Sequence, residues 1–205
     1  KHLEYFRGDT IGWVEVEAEL TEPLGGGTGY ENIGHRGIFS GGYLSGSNDQ
    51  SGIDFVTIST LGNSQDFGDM SSARRGLGGS GSSVRGIFTG GDAGPGHPSN
   101  VMGHVTIPSL GNETDFGNLT VGRESTAALS DSVRSISIAG YAAPANSDVM
   151  DFITITALGN AIDFGDLSTA RSNVATFGST TRGVIAGGEQ PSSANAIDFI
   201  TIQTA

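Results

Sequence analysis

Short apolar runs, each closed by glycine or a polar turn, follow one another along this chain and return in a fixed order. Residues 36–42 carry an aliphatic run that ends in Gly41-Gly42, and it recurs at 85–91, 134–140 and 182–188. Apolar residues then alternate at 53–58, 102–107, 150–155 and 197–202, the two-residue period of a half-buried strand. A Leu-Gly-Asn turn at 61–63, 110–112 and 158–160 leads to a third run on Asp66-Phe67-Gly68, Asp115-Phe116-Gly117 and Asp163-Phe164-Gly165. Met70, Leu119 or Leu167 comes next, then Arg74, Arg123 or Arg171 and a small-residue strand such as 172–178. The opening arginines Arg36, Arg85, Arg134 and Arg182 stand 49, 49 and 48 residues apart, which marks a repeat architecture. Four short strands per unit predict an all-β fold.

The segments that repeat least are 43–51, 92–100, 141–147 and 189–195. Pro, Ser, Asn and Gly dominate there, so they are expected to be exposed loops. Residues 1–20 stand apart as an N-terminal unit, with 21–205 as the repeat domain. Two short strands are expected around Arg7-Gly8-Asp9, and plain hairpin-turn chemistry accounts for that triplet better than an integrin ligand does. The last repeat stops after its second strand, and the first has no small-residue strand before Arg36. Residues 14–20 are therefore expected to supply the outer strand of the last unit and 25–34 the inner strand of the first. That closes a ring of four and removes two open edges. The competing geometry is an incomplete ring finished by neighbouring subunits.

Composition narrows the function classes. Glycine makes up 34 of 205 residues and there is no cysteine, so disulfides, thiol nucleophiles and thiolate metal sites are excluded together. No apolar run approaches the ~18 residues of a membrane-crossing helix. The net charge of −12 argues against nucleic acid and anionic membranes, and most of the arginines sit in the two repeat columns. Lys1 stands where a Met would begin a chain, which suggests a piece of something longer.

Motifs that look chemical lose force when compared with their own copies. Gly76, Gly78 and Gly81 match a dinucleotide loop by spacing, but a strand pattern follows where a helix is needed. Asp-Phe-Gly recurs three times with no companion kinase motif, so it is expected to be structural, with Phe filling space and Gly bending the strand. The repeated Arg and Asp columns are expected to hydrogen-bond at each junction between units. His2, His35, His97 and His104 have no metal spacing, and no EF-hand or nucleophile elbow is present. Neither a catalytic constellation, a cofactor site nor a metal site is expected.

Four strands in about 48 residues is the size of a propeller blade. An aliphatic strand ending in Gly-Gly, an acidic-aromatic strand, an aromatic, a Met or Leu and an Arg resemble a kelch-type blade, with Phe67, Phe116 and Phe164 in place of the usual Trp. The resemblance implies a small four-bladed kelch-like propeller closed by the N-terminal strand. The wording Ile-Asp-Phe-Ile-Thr-Ile at 197–202 and Leu-Gly-Asn-Ala-Ile-Asp-Phe-Gly-Asp-Leu-Ser-Thr-Ala-Arg at 158–171 resembles repeats in virion structural proteins of tailed phages, above all those of marine cyanobacteria. Residues 3–16 resemble the hairpin that precedes the distal module of phage tail and fibre proteins. These likenesses imply a non-enzymatic virion module, homo-oligomeric, that contacts other virion proteins or a host-surface glycan. Tyr43, Asn48, His97, Asn100, Tyr141 and Asn146, all in the non-repeating segments, are the candidate contact residues. A secreted bacterial adhesin and a glycan-active propeller enzyme are the alternatives.

Overall fold

The structure, a computed structural model, describes residues 3–6, 13–16, 36–45, 49–94 and 98–203, and among these there are strands and turns but no helix. Strands β1 (Leu3–Phe6) and β2 (Trp13–Val16) pair antiparallel, Tyr5 opposite Val14. The first repeat then forms a three-stranded sheet from β3 (Arg36–Ser40), β4 (Gly52–Thr57) and β5 (Gln65–Asp69). The second is four-stranded, with β6 (Gly78–Gly81), β7 (Arg85–Thr89), β8 (Val101–Thr106) and β9 (Thr114–Asn118) in sequence order. The third repeats that arrangement with β10 (Ala127–Ser130), β11 (Arg134–Ala142), β12 (Ala145–Thr154) and β13 (Ile162–Asp166). In the fourth, β14 (Ala175–Gly178) and β15 (Arg182–Ala186) are followed by a small hairpin, β16 (Glu189–Gln190) with β17 (Ser192–Ser193). Strand β18 (Ile197–Thr201) then pairs with β15 as the third strand of that sheet. Over the described residues the chain is all-β, with four antiparallel sheets of three or four strands beside the β1–β2 and β16–β17 pairs.

Two expectations change. Residues 141–147 are not a loop in the third repeat: β11 and β12 run on as a hairpin, with Tyr141 opposite Asn146 and Ala142 opposite Ala145. Only Ala143 and Pro144 separate the paired residues Ala142 and Ala145, so pairing continues to a tight turn where the other repeats have longer excursions. The expected closing strand at 14–20 meets a different partner over its first residues, because Val14 and Val16 pair with Tyr5 and Leu3. Residues 17–20 and 25–34 lie outside the described residues.

Period-two strands expose two faces, and both faces of the middle sheets are buried. Ile53, Phe55, Phe67 and Met70 of the first sheet pack with Phe88 and Val105 of the second. Ile87, Met102, Phe116 and Leu119 meet Ile153 and Ile155 of the third. Ile136, Ile138, Met150 and Leu167 then meet Ile185 and Ile202 of the fourth. The core is three inter-sheet layers rather than one central mass. Strands β6, β10 and β14 adjoin and, together with Arg36 and Ile38, border a hollow of about 460 Å³.

The Asp-Phe-Gly strands show what their glycine does. Gly68 pairs with Ile53 while Asp66 pairs with Asp54, which leaves Phe67 as the extra residue of a bulge; Phe116 repeats this. The following repeat's Leu-Gly-Asn turn seats on that bulge. The Gly111 and Gly159 N–H groups donate to the carbonyls of Phe67 and Phe116 at 2.9 Å. Asn112 and Asn160 accept, through Oδ1, from the backbone N–H groups of Asp69 (3.0 Å) and Asn118 (3.1 Å). The glycine is needed less for bending, as expected, than for close approach of this turn.

Candidate functional site

The charged columns are spent on architecture. The side chains of Arg74, Arg123 and Arg171 are fully buried, each reaching forward into the next sheet. Arg123 Nη2 lies 2.5 Å from Asp151 Oδ2, and Arg171 Nη2 lies 2.5 Å from Asp198 Oδ2. Burial pushes the Asp151 carboxyl up, against a short hydrogen bond from Thr120 and the Arg123 charge. The second repeat has Gly103 where its neighbours carry this aspartate. Glu113 of the adjoining turn takes over: its Oε1 accepts from Arg74 at 2.6 Å, and Oε2 accepts from the N–H and hydroxyl of Ser71, both at 2.7 Å. A Cβ on Gly103 would sit 1.7 Å from that carboxylate oxygen, so the missing side chain is the space Glu113 occupies.

This compensation is directly testable. Glu113→Ala strands Arg74 and is expected to cost about 3 kcal/mol. Gly103→Asp alone is expected to destabilise by collision, and adding it to Glu113→Ala should recover most of the loss. A double-mutant cycle by urea unfolding measures the coupling, and additive effects would contradict the exchange.

The other arginine column makes no ion pair among the described residues. Arg36, Arg134 and Arg182 lie 4.6 to 4.9 Å from the ring centroids of Phe55, Phe152 and Phe199. Arg85 lies 6.0 Å from the Phe116 centroid. Arg36 and Arg85 also donate to the carbonyls of Ile107 and Ile155 in the next sheet at 2.6 Å, and Arg134 donates to that of Ile202 at 3.3 Å. The expected Arg–Asp bonding thus describes one column, while the second works through rings and carbonyls.

What is not consumed lies on the side where the Gly-Gly pairs end. There the residue after each buried arginine bridges to the residue after the next Gly-Gly: Arg75 to Asp92, Glu124 to Tyr141 and Ser172 to Glu189. The bridges repeat but the side chains do not. Between the third and fourth repeats they leave a polar cleft of about 580 Å³ bordered by Glu124, Tyr141, Asn146, Ser172, Glu189 and Ser192. The long β11–β12 hairpin forms one wall and the β16–β17 hairpin the other. Asn146 Nδ2 donates to the Glu189 carbonyl at 2.7 Å, and Asn173 Nδ2 to its carboxylate at 3.2 Å. Ser125, which borders the cleft, and Asn173 hold left-handed backbone (φ 52° and 53°) where Gly76 stands in the first copy.

The Glu124 carboxyl is raised above its ordinary value, first by burial and then by neighbouring Asp92, with Arg75 pulling the other way. Arg75 in turn lies 2.7 Å from Asp92 and 3.4 Å from Asp49, with its guanidinium 4.9 Å from the Tyr43 ring centroid. A band of unlike polar groups therefore runs from Tyr43 to Ser193. It offers an aromatic ring, amides, hydroxyls and carboxylates, and it can hydrogen-bond a polyhydroxylated ligand along one ring face and several edges.

The six sequence candidates separate. Tyr141 and Asn146 share the cleft, Tyr43 stands at the far end of the band over Arg75, and Asn100 is exposed just before β8. Asn48 and His97 lie outside the described residues. Sequence reasoning missed Glu124 and Glu189. Glu124 was legible in principle, because the position after the buried arginine reads Arg75, Glu124 and Ser172 and so fails to repeat. Among the described residues no three His, Asp or Glu groups are placed to hold a metal ion. Compared with known proteins, the chain matches no family model and no curated protein.

Proposed function

We propose that this chain is a virion surface module of tailed-phage type whose loop side binds a neutral or amine-bearing host-surface glycan, with its four sheets serving as kelch-like blades. The observation that carries the binding reading is the cleft at Tyr141, Asn146, Glu124 and Glu189, built from residues that vary on a scaffold that repeats. The virion assignment rests on the likeness of 158–171 and 197–202 to phage repeats. Inner strands β6, β10 and β14 beside a common hollow support the blade reading. Two carboxylates in the cleft and a net charge of −12 favour neutral or amine-bearing sugars over sialylated or sulfated ones.

A printed panel of neutral, amino and anionic glycans tests this. The wild-type chain is expected to bind neutral or amino sugars. Tyr141→Ala and Glu124→Gln should each weaken that binding about tenfold or more, at an unchanged unfolding midpoint. Because burial raises Glu124, binding should fall on acidification at a pH above the ordinary carboxylate range. Retention by anionic glycans alone, or by none, would overturn the reading. The pairing of Glu124 and Glu189 in one cleft favours a second reading, glycoside hydrolysis, and release of a chromogenic aglycone that Glu124→Gln abolishes would favour it instead.

A further inference from the structure

The three junctions between successive sheets are built alike, and among the described residues both halves of a fourth are left unused. In each junction, the face that a sheet turns toward its predecessor is covered. Phe88 and Ile185 at that face are 5 % and 0 % exposed, but Phe39, their counterpart in the first sheet, is 60 % exposed. Ile107, Ile155 and Ile202 are 8 %, 1 % and 0 % exposed, whereas Ile58 is 67 % exposed. The opposite face shows the same contrast at the other end of the array. Ile53 and Phe55 are 0 % and 6 % exposed, yet their fourth-sheet counterparts Ile197 and Phe199 are 72 % and 65 % exposed. Arg182 lies 4.8 Å from the Phe199 ring centroid, as Arg36 lies by Phe55, but no described carbonyl receives it.

We propose that a second copy of this chain supplies the missing half: the fourth sheet of one copy docks on the first sheet of the next. Phe199 and Ile197 then cover Phe39 and Ile58 of the second copy, and Arg182 donates to the Ile58 carbonyl as Arg36, Arg85 and Arg134 donate to Ile107, Ile155 and Ile202. The two faces are complementary because the same sequence already joins them three times within the chain. Two different faces meet, so the contact is head-to-tail and leaves one free face at each end of any open assembly. The proposal does not depend on what the loop-side cleft binds.

Light scattering coupled to gel filtration tests it on the full chain at ~0.15 M salt, where charge repulsion is screened beyond about 8 Å. Wild type is expected to run above the mass of one chain, with the mass rising with concentration. Ile58→Glu and Phe199→Glu should each run as one chain with unchanged circular dichroism and unfolding midpoint, since both side chains are exposed in the single copy. Mixing the two variants should restore a species of two chains, because each retains the face that the other has lost. A wild type of one-chain mass overturns the proposal, and if Ile58→Glu or Phe199→Glu then lowers the unfolding midpoint, the two faces cover each other within one chain. Oligomers that survive both substitutions, or variants that fail to pair when mixed, overturn it as well.

Discussion

Replacing Gly117 by alanine is expected to cost about 3 kcal/mol or more, one of the two largest losses foreseen for a single substitution here. Gly117 has a φ of +142°, a region that residues with a Cβ occupy only under strain. The added carbon would also sit 2.2 Å from the carbonyl oxygen of Gly159. That oxygen belongs to backbone held by the Gly159 N–H bond to Phe116 and the Asn160 cap on Asn118, so it has no free rotamer to escape by. Either the turn lifts off or the bulge flattens, and both open the junction between the second and third sheets. Gly165 provides the internal control. It occupies the same place in the third repeat at φ +123°, but nothing lies within 4 Å of its added carbon. Gly165→Ala should show the backbone strain alone, about 1 to 2 kcal/mol. Urea unfolding of both variants separates the two contributions, and equal losses would show that the turn is not what demands glycine.

Asp151→Ala is expected to cost about 3 to 5 kcal/mol, because it leaves the fully buried Arg123 guanidinium without its carboxylate. Thr120, whose hydroxyl donates to Asp151 Oδ1, loses its acceptor at the same time. The pair itself need not be strongly stabilising, since desolvating both charges offsets much of their attraction. Replacing both, Arg123→Met with Asp151→Leu, should therefore cost markedly less than Asp151→Ala alone. A calorimetric scan of the three proteins decides this. Were the double variant the least stable, Arg123 would be contributing through its bond to the Val149 carbonyl rather than through the ion pair.

Much of the scaffold was legible because it is written three or four times. The Arg–Gly–Ile–Phe strand, the alternating strand and the Asp-Phe-Gly strand all fall where the two-residue period puts them. The copies also revealed that Asp-Phe-Gly and the paired charges are structural. Position-specific departures were harder. Nothing in Gly103 alone tells that Glu113, ten residues on, reaches into its place; that exchange depends on the register of β8 with β9, which sets the turn carrying Glu113 beside Gly103. The hairpin over 141–147 was hidden because Ala-Ala-Pro-Ala reads as loop composition, while the pairing is continued from β11 and β12 on either side. Glu124 and Glu189 escaped notice because each looks like one more surface acid until a neighbouring repeat's hairpin is folded beside it. Tyr141 and Asn146 were legible as non-repeating residues, although their proximity follows from cross-strand register.

Repeating residues are expected to hold the scaffold and non-repeating ones to bind, and one paired measurement separates the two roles. Arg134 repeats, lies over Phe152 and donates to Ile202; Tyr141 does not repeat and borders the cleft. Retention of folded protein on an immobilised neutral glycan surface, recorded beside the unfolding midpoint, should separate them. Arg134→Met is expected to lose about 1 to 2 kcal/mol of stability with retention per folded molecule unchanged, and Tyr141→Ala to lose retention with its midpoint unchanged. The reverse pattern, with Arg134→Met abolishing retention at full stability, would contradict the account.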